Sequence, residues 1–394
     1  MPSELRCLFT LIFLCLGVGQ NVVADPYTPG SGAQVLERLP ARSDPAQKAL
    51  AELRSGLQRD PANVTLAAAL ARRYITIARN NADPRYLSYA QAALTPWWGK
   101  ANPPAEVLVL RATILQSTHR FPEALADLDQ LLKIDRRNGQ AWITRATVLQ
   151  VQGRFEEARK SCAQLVGVAD ELVLRTCLAS VGNLSGGARP SYVSLKAGLE
   201  GSKSAQPDTQ IWIRTLLAEM AQRLGDAPAA ETHFRAAMAL DRADSYLLGS
   251  YADFLLDQAR NAEVIALLKD KTRADGLLLR YAMALNNTQS PAAAKAISEL
   301  RDRFAAAALR GDTVHQREQS RFELQLMKNP KLAMQLAQAN WAVQKEPADA
   351  RIFLEAAAAL IDKAAAQPVL IWLEQTGLED AALEKLKKSL VNPA

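Results

Sequence analysis

The 394-residue chain has 49% hydrophobic and 22% charged residues and a formal net charge of +6. This composition supplies enough apolar surface for a folded chain and excludes global disorder. The positive charge is weak for this length, and no Lys/Arg cluster is present of the kind that binds nucleic-acid backbones, so we expect no nucleic-acid partner. Ala and Leu dominate the apolar residues while aromatic residues make up only 6%, which favours an all-α fold.

An apolar run, Cys7–Val18, follows Arg6 near the N-terminus. It is shorter than the roughly 20 residues that a membrane-spanning helix needs. Val22 and Ala24 supply side chains that a signal peptidase accepts, so we interpret residues 1–24 as a signal peptide that is cleaved after Ala24. The alternative is a buried N-terminal helix. Export predicts a periplasmic or secreted protein, and we expect no membrane span in the mature chain.

Residues 25–44 contain three Pro and two Gly, which predicts an extended leader. Helical runs of about 10 to 20 residues, separated by Pro and Gly, then continue from 45 to 390. The prolines, Pro368 among them, are interpreted as breaks between helical runs, and most of these breaks as helix starts. We expect 18 to 20 helices in eight to ten hairpins. Trp97 and Trp98 are predicted in a loop, either as an exposed contact or as part of the core.

Two adjacent segments, 105–138 and 139–172, resemble each other at a constant offset. Arg111-Ala112-Thr113 returns as Arg145-Ala146-Thr147, and Arg120-Phe121 returns as Arg154-Phe155. The shared offset matches the period of the tetratricopeptide repeat, which is about 34 residues. A weaker copy occupies 211–244. The repeat predicts that each unit is a pair of antiparallel helices.

Small residues recur where the two helices of one hairpin must approach closely. These positions are Ala112 and Ala124 in the first unit and Ala146 and Ala158 in the second. Larger apolar residues fill the space between successive hairpins, because a single hairpin cannot bury its own apolar face. They are Leu108, Leu115, Leu128, Leu131, Trp142, Leu149, Cys162 and Leu165. Gly153 marks the turn of the second unit, and His119 takes its place in the first.

These units resemble the tetratricopeptide repeat (TPR) family. The resemblance implies a right-handed α-solenoid of stacked hairpins whose first helices face a concave groove, where family members usually hold an extended peptide or a helix. The implied groove positions are Glu106, Val109, Thr113, Gln116 and Ser117, then Gln140, Ile143, Thr147, Gln150 and Val151. The family's clamp for a C-terminal carboxylate uses Lys and Asn, which Val109, Thr113 and Thr144 do not match, so a ligand with apolar or amide groups is expected.

Cys162 and Cys177 are the cysteines that remain after the predicted cleavage. In an oxidising compartment they could form a disulfide, and closing a loop of about 15 residues would contribute roughly 3 kcal/mol. The alternative is two buried thiols. The three histidines lie far apart without further ligands at zinc spacing, so we predict no metal site.

The densest polar set is His315 to Glu318 with Arg321, which we interpret as a solvated helix surface rather than a site. The last helix, about Glu379 to Leu390, is suited to be a polar terminal cap.

No catalytic motif is present, and we expect neither catalysis nor a cofactor. The favoured function is that of an exported scaffold that binds a protein or peptide. The alternatives are a structural protein associated with the cell wall or a glycan, and an enzyme built on the solenoid, which a deep polar pocket would favour.

Overall fold

The computed structural model describes Ser31 and residues 45–202, 205–240 and 244–391. The predicted signal peptide and almost all of the predicted leader therefore lie outside the described residues. The chain divides into two units, Met1–Lys48 and Ala49–Ala394. In the first unit, Pro45–Lys48 form the start of a helix. The second unit contains the remainder of the helical array.

The described residues form 21 helices and contain no strand, which confirms the all-α prediction. The bounds of the first eleven are α1 Pro45–Arg59, α2 Val64–Asn81, α3 Arg85–Ala93, α4 Thr95–Trp98, α5 Ala105–Ser117, α6 Phe121–Ile134, α7 Gly139–Val151, α8 Phe155–Ala163, α9 Glu171–Asn183, α10 Ala188–Gly201 and α11 Pro207–Arg223. Those of the others are α12 Ala227–Met238, α13 Ser245–Asp257, α14 Asn261–Leu268, α15 Asp275–Asn287, α16 Ala293–Leu309, α17 Gln316–Gln325, α18 Pro330–Val343, α19 Pro347–Ala359, α20 Lys363–Thr376 and α21 Ala381–Val391.

From α2 onward the helices pair into nine hairpins that stack in chain order, which confirms the TPR-like solenoid. The first helices of the hairpins are α2 and the odd-numbered helices from α5 to α19; the second helices are α3 and the even-numbered helices from α6 to α20. Each first helix packs against the next first helix along the chain, and α21 continues this row after the last hairpin.

The turn within each hairpin has the same backbone conformation. Each of these turns contains one residue with a positive φ of 46° to 79°. The nine residues are Ala82, His119, Gly153, Gly186, Gly225, Ala259, Gln289, Lys328 and Ile361. His119 thus adopts the left-handed conformation that Gly153 adopts one repeat later, although only glycine does so without a steric cost. The repeat is therefore more regular in its backbone than in its sequence.

The small residues of the repeat lie where the sequence places them. Ala112, Ala124 and Ala158 are fully buried, and Ala146 is 3% exposed. The leucines between successive hairpins are buried as well, and Trp142 is partly buried. The core therefore runs along the stack as a series of apolar layers, because each hairpin covers the face that its neighbour exposes.

Two local predictions are wrong. Trp97 and Trp98 belong to the one-turn helix α4 rather than to a loop, and Trp97 is buried against the first hairpins. Pro368 lies inside α20 rather than between two helices. Proline in a helix costs about 3 kcal/mol, but Val369, Trp372 and Leu373 of the same helix are buried in the core and hold it in place.

A disulfide joins Cys162 of α8 to Cys177 of α9, with the two Cα atoms 5.6 Å apart. The bridge connects two successive hairpins. Both cysteines belong to the apolar layer between these hairpins, so the bond reinforces an interface that packing already forms.

The row of hairpins makes contacts across the solenoid as well as along it. The backbone N–H of Lys345 donates to the carbonyl oxygen of Val151 at 2.7 Å. The ring centroids of Phe155 and Trp372 lie 6.3 Å apart, and the N–H of Ala188 donates to Glu379 at 3.3 Å. The C-terminal hairpins therefore pack against the turns of α7–α10, and the first helices enclose a common interior instead of an open groove.

Ile361 allows a test of the turn conformation. It has a φ of 55° and is 84% exposed, so replacing it with Gly removes strain while little burial is lost. We expect Ile361→Gly to raise the free energy of unfolding by about 0.5–1 kcal/mol, because the relieved strain exceeds the added freedom of the unfolded chain. Chemical denaturation measures the change.

The matched control is Ile371→Gly, an exposed isoleucine inside α20. There glycine lowers stability by about 1 kcal/mol. Destabilisation of similar size by both substitutions would contradict the proposed turn.

Candidate functional site

The first helices surround a cavity of about 270 Å³. Residues of α7, α9, α11, α13, α15, α17 and α19 line it, together with the start of α21. Five arginines and six acidic residues are among them: Arg223, Arg280, Arg317, Arg321, Arg351, Glu219, Asp253, Glu318, Glu346, Glu355 and Asp380. This volume is close to the lower limit of known ligand sites, which are about 300–1,000 Å³.

Helical periodicity explains how these side chains reach the cavity. Glu219 and Arg223 are four residues apart on α11, and Arg317 and Arg321 have the same spacing on α17. Residues at this spacing lie on one helix face. The stacking of hairpins turns one face of each first helix from α7 to α19 toward the interior, while apolar residues of the other faces pack against neighbouring helices.

The carboxylate of Asp253 lies at the centre of the first charge cluster. It accepts a hydrogen bond from Arg280 and another from Arg321, the latter at 2.6 Å. Burial raises the pKa of Asp253, but the two guanidiniums outweigh burial and hold that pKa well below its usual range. Asp253 is therefore ionised and links α13 to α15 and α17.

Arg317 occupies the second cluster. Its guanidinium lies 3.0 Å from Glu346, 3.3 Å from Glu318 and 3.4 Å from Asp349. Burial raises the pKa of Glu346 above its usual range, and the charge of Asp349 acts in the same direction against that of Arg317. One arginine thus faces three carboxylates, and this part of the cavity has an excess of negative charge.

Arg351 forms the third cluster. Its guanidinium makes two hydrogen bonds of 2.8 Å to Asp257 and one of 2.8 Å to Glu355. Gln222 of α11 donates to the same Asp257 at 3.0 Å. The cluster therefore connects α11, α13 and α19 across the interior.

The Nε of Arg280 has no hydrogen-bond acceptor although its Nη atoms are paired, and three further polar side chains of the wall are less completely paired. Arg223 has no carboxylate within 4.0 Å among the described residues, and its Nε has no hydrogen-bond acceptor. Glu219 accepts from the hydroxyl of Ser250 at 2.8 Å and from Tyr246, but it has no cationic partner in the described chain. Asn183 is 2% exposed, and its Oδ1 has no hydrogen-bond donor.

Tyr246 lies beside this incompletely paired set. Tyr246 lines the same cavity, and 62% of its surface is accessible to solvent. Burial raises the pKa of Tyr246 well above its usual value, and the charges of Glu219 and Glu346 raise it further. The phenol is therefore neutral at physiological pH and donates to Glu219.

Of the ten groove positions that the resemblance implies, only Gln150 lines the cavity. Its side-chain oxygen accepts from Ser180 at 2.9 Å. On α5 and α7, Val109, Thr113, Gln116, Ile143 and Thr147 are half-buried, whereas Glu106 and Gln140 are exposed. Ser117 is exposed at the end of α5, and the carbonyl oxygen of Val151 accepts from Lys345. The structure thus brings one implied groove position, Gln150, to the cavity and leaves the other nine outside its lining.

The surface interpretation of the polar set on α17 is wrong for Arg317, Glu318 and Arg321, which line the cavity. The feature of the sequence that could have indicated the cavity is the spacing of Arg317 and Arg321, two cations four residues apart on a first helix. That signal is weak, because the same spacing is common on solvated helices.

A deep polar pocket was the feature expected to favour an enzyme. Four of the cavity's arginines hold carboxylates in the three clusters, and none of the three histidines lines it. Within the described residues, no group of three or more His, Cys, Asp or Glu could hold a metal ion.

In the same part of the chain, no helix is both long and apolar enough to cross a membrane.

No family model and no curated protein matches the chain. Solved structures with similar helical arrays include the human IFIT1 dimer with m7Gppp-AAAA, at 14% identity and a TM-score of 0.43, covering 89% of this chain and 86% of that one. A tetratricopeptide repeat protein from Parabacteroides merdae has 14% identity and a TM-score of 0.32, covering 82% and 99%.

The Cut9–Hcn1 hetero-tetramer has 14% identity and a TM-score of 0.39, covering 79% of this chain but only 52% of that one. At these values the likenesses support no conclusion about function.

The Asp253 cluster yields a stability prediction. Asp253→Asn removes the carboxylate from between two partly buried arginines, and we expect the free energy of unfolding to fall by about 3 kcal/mol. Because the pKa of Asp253 is lowered on folding, its contribution is present above the unfolded pKa of about 3.9 and is lost as the pH falls through the lowered folded pKa. Denaturation curves at pH 7 and in acid measure both effects.

Asp302→Asn is the control. This aspartate is 76% exposed and lies 3.9 Å from Arg301, so its loss changes stability by less than about 0.5 kcal/mol. Equal effects of the two substitutions at pH 7 would show that Asp253 has no special role.

Proposed function

We propose that this chain is an exported scaffold that binds a protein or peptide partner along the first helices α5 and α7. The observation that carries the proposal is a row of polar and apolar side chains along these two helices, which we call the stripe. It ends at Gln150, which lines the cavity. Gln140, Ile143, Thr147 and Gln150 follow one face of α7, since they are spaced by three or four residues. The corresponding positions on α5 lie one repeat earlier, so the two helices present matching rows.

The chemistry of the stripe indicates what kind of partner it suits. Glu106 is its one charged residue, and the hydroxyls of Thr113 and Thr147 donate to carbonyl oxygens of their own helices at 2.7 and 3.0 Å. The stripe therefore offers methyl groups and amides rather than unpaired charges. An extended peptide or a helix with apolar and amide side chains fits such a surface.

The disulfide supports export. Cys162 and Cys177 are bonded in the structure, and such bonds persist mainly in oxidising compartments such as the periplasm or the extracellular space. A signal peptide over residues 1–24, with cleavage after Ala24, agrees with that location. Stacked hairpins provide a long surface from small repeated units, which suits a scaffold that holds a partner.

The partner surface can be tested with a membrane-impermeant crosslinker on intact cells, followed by mass spectrometry. We expect the wild-type chain to be crosslinked to a partner and to begin at Asp25. Thr113→Glu combined with Thr147→Glu places two charges in the stripe, and we expect the crosslinked product to fall roughly tenfold.

Thr232→Glu is the matched control, because Thr232 is likewise a helical threonine whose hydroxyl bonds a carbonyl oxygen of its own helix, at 2.9 Å, but it lies on the second helix α12. Its crosslinking should equal that of the wild type. Undiminished crosslinking by the double variant, or failure of the crosslinker to reach the wild-type chain, would refute the proposal.

A further inference from the structure

The incompletely paired groups of the cavity include both signs of charge on one helix. Glu219 and Arg223 are one turn apart on α11, where side chains usually form an ion pair. In this structure the side chains of Glu219 and Arg223 form no ion pair within 4.0 Å. Glu219 is held instead by Ser250 and Tyr246 of α13. The wall of the cavity therefore presents a carboxylate and a guanidinium side by side, and neither has an ion-pair partner within 4.0 Å among the described residues.

The other charged side chains of the cavity form no ion pair with Glu219 or Arg223. Arg280 and Arg321 share Asp253, and Arg351 is held by Asp257 and Glu355. Arg317 already faces three carboxylates. Asp380 accepts two backbone N–H groups of α21 at 2.9 and 3.1 Å. Burial raises the pKa of Asp380 and the charge of Arg223 acts against it, but the two side chains form no ion pair within 4.0 Å. A buried guanidinium Nε without an acceptor is costly, so a ligand that supplies one gains affinity.

Asn183 is a second, independent sign of an unfilled site. It lines the same cavity, it is 2% exposed, and no hydrogen bond to its side-chain oxygen is found. Nearly all buried polar side chains in folded proteins have at least one partner. Buried polar groups that lack partners and face one cavity indicate that a polar molecule belongs there.

We propose that the cavity binds a small zwitterion, that is, a free amino acid or a short peptide with an ammonium group and a carboxylate. The ammonium group lies against the carboxylate of Glu219, where a charge-assisted hydrogen bond favours it. The carboxylate receives hydrogen bonds from Arg223. One helical turn separates the two side chains by about 5–6 Å at Cβ, which suits adjacent opposite charges on one ligand.

The remainder of the wall suits an aliphatic side chain. Leu216, Leu279, Ile352 and Leu383 line the same cavity. A volume of about 270 Å³ would hold roughly nine water molecules at about 30 Å³ each, which is also the scale of an amino acid or a dipeptide. The zwitterion site goes beyond the proposed scaffold function, because it lies inside the hairpin stack rather than along α5 and α7.

Isothermal titration calorimetry with the purified full-length mature chain tests the site. The probes are L-leucine, glycyl-L-leucine and two truncated analogues of leucine: 4-methylpentanoate, which lacks the ammonium group, and 3-methylbutylamine, which lacks the carboxylate. We expect at least one zwitterion to bind, and each analogue to bind roughly tenfold more weakly than leucine or not at all. Equal affinity for an analogue and its parent, or no binding of either zwitterion at about 10 mM, would overturn the proposal.

Two variants assign the charges. Arg223→Met should weaken zwitterion binding by roughly tenfold without affecting 3-methylbutylamine, and Glu219→Gln should weaken it similarly without affecting 4-methylpentanoate. The controls are Arg189→Gln and Glu374→Gln, which change exposed residues outside the cavity. Circular dichroism checks that each variant is folded.

If a cavity variant does not fold, Arg223→Lys and Glu219→Asp retain the charges, and partial binding by them supports the assignment. Unchanged affinity in folded Arg223→Met and Glu219→Gln would overturn it. The double variant Thr113→Glu, Thr147→Glu should still bind the zwitterion, so that failure of the scaffold proposal and failure of the zwitterion site are distinguishable.

Discussion

A pair of antiparallel helices is too thin to bury its own apolar residues. This constraint explains why the hairpins of this chain stack in a row. Each hairpin hides one face against the preceding hairpin and offers the other to the next. Alanines such as Ala112 and Ala146 let the helices approach closely, and leucines fill the layers between hairpins. The stack is therefore stabilised by neighbour contacts rather than by one central core.

The same stacking determines where the charges lie. The first helices from α7 to α19 each turn one face to the interior, so polar residues that would be scattered on an isolated helix surface meet in one cavity. Asp253 is 68 residues from Arg321, and Asp257 is 94 residues from Arg351. These pairs cross the cavity and connect hairpins that are not neighbours in the chain. Asp253 remains ionised because two guanidiniums offset the desolvation of its carboxylate.

The repeat was predictable because its signal is local. A constant repeat period, alanines at the helix crossings and breakers between helices were enough to predict hairpins over 105–138 and 139–172. The cavity was not predictable, because it depends on the angle between successive hairpins and on contacts such as Lys345 with Val151, which no local pattern encodes. Arg317 and Arg321 therefore resembled an ordinary solvated face. Pro368 was misassigned because buried neighbours outweigh the helix-breaking tendency of proline.

The enclosed cavity depends on the packing of the C-terminal hairpins against α7–α10. Double electron–electron resonance between spin labels at Arg154 and Val343, both exposed and close to the contact between Val151 and Lys345, tests this packing most directly. We predict a short distance set mainly by the lengths of the labels themselves. A stack that did not close on itself would place α19 six hairpins from α7 and separate the labels by roughly 60 Å, and that result would contradict the enclosed cavity.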